Sequence, residues 1–148
     1  MDKNAIKKYA VWAREELIKR VSVKANQYGI SCDQVESEET DTVNGILLTS
    51  NEKKQRKELI KQVKEKGYEQ VIEEVAYIWF NRFIALRFME VNNYLPTHIR
   101  VFTNDENVFK PQIMTEAIHI ELQGLNKSKV LSLKESNADD DLYKYLLI

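Results

Sequence analysis

The sequence predicts a mainly α-helical fold, a multi-helix and bundle-like domain with at most one short β element near residues 98–103. Only four glycines and two prolines interrupt the 148 residues, which favours long helices. Apolar residues recur at spacings of three and four along several segments, which is the period of a helix that buries one face. Hydrophobic residues make up 43% and charged residues 30%, which is typical of a globular chain with a substantial core. We therefore expect residues 1–148 to form a single helical domain.

The first predicted helix covers residues 2–28 and ends at Gly29, which can adopt the left-handed conformation that closes a helix. Residues 31–45 carry acids and small polar residues and are expected to form a solvated loop. The apolar stripe of the first helix consists of Ile6, Tyr9, Ala10, Ala13, Leu17, Val21, Ala25 and Tyr28.

The second predicted helix is capped by Thr49, Ser50 or Asn51 and ends near Lys66, before Gly67. Most of it must face water, because it holds few apolar anchors. These anchors are Leu59, Ile60 and Val63.

The basic residues of this second helix have two interpretations. Contacts with phosphates would give DNA affinity that is independent of sequence and sensitive to salt. An ordinary solvated face is the simpler interpretation, because Glu52, Glu58 and Glu65 are interleaved with the bases. The candidate nucleic-acid contacts are Lys53, Lys54, Arg56, Lys57, Lys61 and Lys64.

The third predicted helix covers residues 68–92 and is apolar almost all round. Such a helix is buried either in a protein core or in lipid. Lipid is the weaker choice, because Arg82, Arg87 and Glu90 would each cost about 2.5–3.5 kcal/mol near the centre of a bilayer. We therefore expect this helix to be the buried spine of the core.

The three charges on this helix need partners once they are buried. Arg87 and Glu90 are three residues apart and can pair along the helix. Arg82 has no acid three or four residues away, so its partner must come from another helix, another domain or a ligand. We expect Arg82, Arg87 and Glu90 to form core ion pairs or to lie at an interface, where an arginine could also reach a phosphate or carboxylate.

The remaining segments are less regular. Residues 98–103 alternate in a β-like pattern, residues 111–123 favour a helix, and residues 125–136 fit either a loop or a short strand. A last helix over residues 137–148 begins with acids, which suit a helix N-terminus, and ends on apolar residues. Because helices usually end in glycine or polar residues, we expect the chain to be truncated from a longer protein.

Charge and cysteine content narrow the class of protein. The formal net charge of −1 gives no overall preference for nucleic acid or membrane. A single cysteine, Cys32, excludes an internal disulfide and suits a reducing cytoplasm. The N-terminus is charged from its second residue and lacks the apolar segment of a signal peptide. We expect a cytoplasmic protein with no membrane partner.

No metal or catalytic site is predicted. The three aspartates at 139–141 are consecutive on a helix and so point in different directions. His98 and His119 do not have the spacing of a zinc site. Trp12 and Trp79 lie on apolar helix faces, so they are predicted to be core residues rather than base-stacking platforms.

Three stretches carry a resemblance. Residues 1–21 read MDKNAIKKYAVWAREELIKRV, residues 27–30 read QYGI, and residues 76–96 read AYIWFNRFIALRFMEVNNYLP. Together they resemble the start of adenine-specific DNA methyltransferases of BREX phage-exclusion systems, the PglX type. Ile78 and Asn93 are minor departures, since the family often has Thr and Asp there.

The resemblance implies a parent enzyme that transfers a methyl group from S-adenosylmethionine to N6 of adenine in duplex DNA, with the base flipped out. The family's Asn-Pro-Pro-aromatic motif and glycine-containing cofactor loop are missing from residues 1–148: Pro96 and Pro111 stand alone, and no glycines form G-x-G. No catalytic, cofactor-binding or metal-binding residue is therefore carried over.

We expect an N-terminal accessory domain that scaffolds the downstream methyltransferase domain and contacts DNA or other phage-defence proteins. The alternative is a stand-alone helical adaptor or DNA-binding protein without enzymatic activity.

Overall fold

The computed structural model describes residues 2–147 of the chain. The mainly α-helical fold is confirmed: six helices and one small two-stranded sheet lie within the described residues. The packing divides into two compact units, residues 1–82 and residues 83–148, whereas a single domain is expected from the sequence.

In the first unit, helix α1 (Lys3–Gln27) begins at Asp2, whose carboxylate accepts hydrogen bonds from the amides of Asn4 and Ala5. The chain leaves α1 through Gly29, which has the positive φ of 69° that was expected of it. Both ends therefore match the predicted helix over residues 2–28 within one or two residues.

The segment between α1 and the second helix, which was expected to be a solvated loop, contains a short β-hairpin. Strands β1 (Thr42–Val43) and β2 (Ile46–Leu47) pair in antiparallel fashion. Asn44 and Gly45 connect them with φ values of 49° and 78°, so both turn residues have the positive φ of a two-residue hairpin turn.

Helix α2 (Ser50–Lys66) has the predicted bounds. Thr49 and Glu52 form a capping box, in which each side chain accepts from the other residue's amide, and Gly67 follows the last turn. One side of α2 enters the core of the first unit. This core contains Ala25, Ile30, Ile60 and Ile72, with Ile18, Val21, Val35, Leu59, Val63 and Tyr68 packed around it.

Helix α3 (Tyr68–Val91) also has the predicted bounds, and the division between the units falls within it. The prediction that it is buried all round is wrong for this chain. Val71, Ile72 and Ala76 are buried near its start and Glu90 near its end, whereas large apolar side chains between them are exposed. These are Tyr77, Ile78, Trp79, Phe83, Ile84 and Phe88, with Val91 at the last position.

The second unit contains helices α4 (Gln112–Thr115), α5 (Lys127–Glu135) and α6 (Asp139–Leu147). The helix predicted over residues 111–123 is therefore mostly wrong, and α5 lies where a loop or strand was expected. The last helix is confirmed over the described residues. Two apolar clusters form the core, one around Leu95, Val101, Ile113 and Ile120, and one around Ala117, Val130 and Leu142.

The β element expected near residues 98–103 is absent from the described structure. The amides of Val101 and Phe102 donate instead to one carboxylate oxygen of Glu90, each over 2.7 Å. A ladder needs such amides for a neighbouring strand, so no ladder forms here, and Val101 and Phe102 lie in a bend.

Candidate interaction surfaces

Four lysines lie on one side of α2. Lys54, Lys57, Lys61 and Lys64 follow each other at spacings of three and four residues, which places them on one helical face. We term these four residues the lysine face. It extends for about 15 Å, because the first and last lysines are ten residues apart on a helix that rises 1.5 Å per residue.

Carboxylates border the lysine face. Glu38, Glu58 and Glu65 line a shallow depression of about 470 Å³ together with the four lysines. Four cations against three anions leave one net positive charge on this surface. Both interpretations of the basic helix therefore remain open on charge alone.

Residues 36–41, here termed the acidic loop, lie against α2. The Lys64 ammonium pairs with the Glu38 carboxylate, and Lys53 pairs with Asp41. The hydrogen bond and charge of Lys64 hold the pKa of Glu38 below its usual range, with Lys57 and Arg56 adding to the effect. Within residues 2–147, Lys54, Lys57 and Lys61 form no ion pair.

Arg56 differs from the lysines although it belongs to the same predicted set. Its side chain is buried, with 3% of the residue exposed. The guanidinium donates to the backbone carbonyls of Tyr28, Glu36 and Ser37 over 2.8, 2.9 and 2.7 Å. All three nitrogens are occupied, so Arg56 joins the acidic loop to α2 and is not available for a phosphate.

An exposed apolar patch lies in the second unit. Ile84, Phe88 and Val91 are spaced by four and three residues and are all exposed, so they share one face of α3. Tyr94 follows the helix, and its ring contacts that of Phe88 edge-on, with 6.0 Å between the centroids. We term these four residues the Phe88 patch. The apolar pattern of α3 does not predict this patch, because a helix that is apolar all round is expected to lie in the core.

The structure places the tryptophans differently from the prediction. Trp12 is 59% exposed and Trp79 is 38% exposed, so neither is a core residue. The Arg82 guanidinium lies 5.4 Å from the centroid of the Trp79 ring, which is a cation–π contact within α3. Arg82 thus contacts an aromatic residue three positions earlier on its own helix, whereas a partner outside the helix was expected.

Glu90 and Arg87 form the ion pair whose spacing the sequence shows. The Glu90 carboxylate also accepts from the amides of Val101 and Phe102 and from the Thr103 hydroxyl, which is 2.8 Å away. Burial raises the pKa of Glu90, but these hydrogen bonds outweigh it, so its pKa lies below the usual range. The carboxylate is therefore ionised and serves to fold the segment that follows α3.

A groove of about 430 Å³ lies in the first unit, between α1 and α3. Ala10, Ala76 and Phe80 form part of its lining, and an ion pair between Arg14 and Glu73 lies among its lining residues. The surface that lines the groove is mainly apolar, so the groove suits an apolar side chain.

The residues present do not fit S-adenosylmethionine. The glycines occupy separate turns, and a Cβ added at Gly45, Gly67 or Gly124 would meet nothing within 4 Å. At Gly29 the added atom would meet the Glu36 carboxyl group at 2.8 Å, so that glycine makes room for a neighbouring side chain. A cofactor loop instead needs glycines that bring backbone close to the ligand.

Among residues 2–147, no helix combines the length and apolar character needed to cross a bilayer. The described residues thus define a helical segment with two exposed surfaces, one charged and one apolar, and a structural carboxylate network.

Comparison with known proteins gives the family. The chain is 38% identical over 137 residues to the adenine-specific methyltransferase PglX of Lacticaseibacillus casei (strain Zhang), covering 82% of this chain and 11% of the relative. It is 30% identical over 162 residues to the adenine-specific methyltransferase BrxX of Escherichia coli O9:H4 (strain HS), covering 100% of this chain and 13% of the relative. No family model matches the chain.

These matches confirm the predicted resemblance: the chain is related to a segment of PglX-type adenine-specific methyltransferases. It spans only about a ninth to an eighth of the length of these relatives.

Proposed function

We propose that this chain is an N-terminal accessory segment of an S-adenosylmethionine-dependent adenine-N6 DNA methyltransferase of a BREX phage-defence system. Its role is to dock the catalytic part of the same protein in the cytoplasm. The relatives support this proposal, because they join a segment of this kind to a much longer chain. The methyl transfer is the work of that longer part, and no step of it is assigned to residues 2–147.

The Phe88 patch is the observation that carries the docking role. Phe88 is 59% exposed and Tyr94 is 63% exposed, and Ile84 and Val91 extend the same surface. Exposed apolar side chains that form one continuous patch mark interaction sites more often than isolated ones do. An apolar partner surface on the catalytic part would bury these side chains and gain about 25 cal/mol per Å² of apolar area covered.

The test replaces Phe88 in the full-length methyltransferase. Phe88→Glu places a charge in the proposed contact, so we expect adenine methylation to fall at least about tenfold, equivalent to about 1.4 kcal/mol of lost docking. Phe109→Glu is the matched control, because Phe109 is exposed in the same unit but lies outside the patch. Methylation by Phe88→Glu at the rate of the unmodified protein would refute the docking role.

The lysine face favours a second role, contact with duplex DNA. Lys54, Lys57 and Lys61 extend from α2 without an ion pair in residues 2–147, so their ammonium groups are free for phosphates. DNA carries one phosphate per 3.4 Å along each strand, so a face of about 15 Å spans about four of them. Such contacts position a duplex without reading its sequence.

This role is tested with the 148-residue chain and a fluorescent duplex. Replacing Lys54, Lys57 and Lys61 with Glu should abolish binding at low salt, because three phosphate contacts are lost. A control replaces Lys110, Lys127 and Lys144, three exposed lysines of the second unit, with Glu. Equal losses in the two triple variants would show a general charge effect and exclude a specific lysine face.

A further inference from the structure

We propose that the acidic loop is a built-in competitor for the lysine face: Glu38 and Asp41 occupy lysines of α2 that phosphates of duplex DNA would otherwise engage. This inference rests on the proposed DNA contact. The affinity of the lysine face for DNA then depends on the carboxylates of Glu38 and Asp41 as well as on the lysines.

The contacts of the loop support this role. Glu38 pairs with Lys64, the last member of the lysine face, and Asp41 pairs with Lys53, which lies outside that face near the start of α2. The two pairs are eleven residues apart on α2, so the loop reaches lysines near both ends of the helix. Glu38 also lines the same depression as the four lysines, so its carboxylate lies where a phosphate would have to enter.

The ion pairs are weak enough to exchange. The side chains of Lys64 and Glu38 are 64% and 32% exposed, and those of Lys53 and Asp41 are 40% and 70% exposed. Ion pairs exposed to this extent contribute about 0–1 kcal/mol and are screened by salt. A duplex that brings several phosphates at once can therefore replace both carboxylates.

The fold of the loop does not depend on these ion pairs. Arg56 holds the backbone carbonyls of Glu36 and Ser37, and Glu36 donates its amide to the carbonyl of Gly29 over 2.9 Å. The backbone stays anchored when the carboxylates are neutralised. The two carboxylates can therefore be neutralised by mutation without unfolding the first unit.

The experiment measures binding of the 148-residue chain to a labelled duplex of about 20 base pairs by fluorescence anisotropy, at about 50 to 200 mM NaCl. Glu38→Gln combined with Asp41→Asn should tighten binding about five- to tenfold at the lowest salt.

Glu36→Gln combined with Glu39→Gln is the matched control. It makes the same change of net charge in the same loop, but neither side chain pairs with a lysine in residues 2–147. We expect it to change affinity less than twofold. Adding Lys54→Glu, Lys57→Glu and Lys61→Glu to the Glu38→Gln, Asp41→Asn variant should abolish the gain.

The outcomes separate the two proposals. Unchanged binding in the Glu38→Gln, Asp41→Asn variant, beside clear binding by the unmodified chain, refutes the competitor and leaves the DNA contact standing. An equal gain in the control variant also refutes the competitor. If neither the unmodified chain nor the neutralised variant binds at the lowest salt, both proposals are overturned.

Discussion

Glu90 shows how one buried carboxylate can organise a segment that has no regular structure. It is 2% exposed, yet it accepts from two backbone amides, a hydroxyl and a guanidinium. Without it the amides of Val101 and Phe102 would be left without a partner in the protein, and a buried polar group without a partner costs about 1–3 kcal/mol. At the scale of one residue, the charge on α3 is therefore a folding determinant.

Replacing Glu90 with Gln should lower the free energy of unfolding of the second unit by about 2–4 kcal/mol. The amide nitrogen of Gln cannot accept, so donors that now converge on the carboxylate lose an acceptor. Urea unfolding followed by circular dichroism measures the change. Glu106→Gln, at an exposed position of the same unit, is the control and should change stability by less than about 0.5 kcal/mol.

The contribution of Glu90 to stability should depend on pH. Because the pKa of Glu90 is lower in the folded chain, its contribution to stability is present above the unfolded carboxyl pKa of about 4.3. That contribution is lost as the pH falls through the lower folded pKa. The stability difference between the unmodified chain and Glu90→Gln should therefore shrink below about pH 4. A difference that stays constant down to pH 2 would contradict the assigned role.

At the scale of elements, the long helices were predictable and the short ones were not. The bounds of α2 and α3 follow from Thr49, Gly67 and the apolar period, which are local signals. Helix α5 has only a polar cap at Asn126 and a weak apolar stripe, and it is stabilised by packing against α4 and α6 that no local pattern encodes. The segment after α4 has an apolar pattern that predicts a helix, but its apolar residues enter the core from turns instead.

The connection between α2 and the acidic loop gives the element-scale prediction. Arg56→Met removes the donors to three backbone carbonyls, and we expect a loss of about 2–4 kcal/mol of stability in the first unit. Lys57→Met changes the neighbouring exposed residue and should have little effect. Thermal unfolding followed by tryptophan fluorescence reports on this unit, because Trp12 and Trp79 belong to it. Equal stabilities of the two variants would show that the carbonyls find other partners.

For the whole molecule, the two units have separate cores. The cluster around Ile30 and Ile60 shares no residue with the clusters around Val101 and Leu142. The sequence does not show this division, because α3 runs through it without a glycine or proline. The exposed surfaces could not be predicted from the sequence either. An apolar helix has the same sequence pattern whether its own unit or another chain covers it.

Separate cores predict separate responses to mutation. In hydrogen–deuterium exchange, Glu90→Gln should increase amide exchange within residues 92–147 and leave α1 and α2 within error of the unmodified chain. Arg56→Met should produce the opposite pattern. If either substitution raised exchange equally throughout the described residues, the chain would be unfolding as one cooperative domain.

Cys32 offers a practical consequence of the loop geometry. It is the single thiol of the chain, it is exposed, and it precedes Glu38 by six residues. A hydrogen bond and the charge of Asp33 raise its pKa, so alkylation by a maleimide dye proceeds faster as the pH rises above neutral. A dye at this one position would respond to a change in its charged surroundings, so its fluorescence would report in real time when the nearby carboxylates exchange their lysine partners for phosphates.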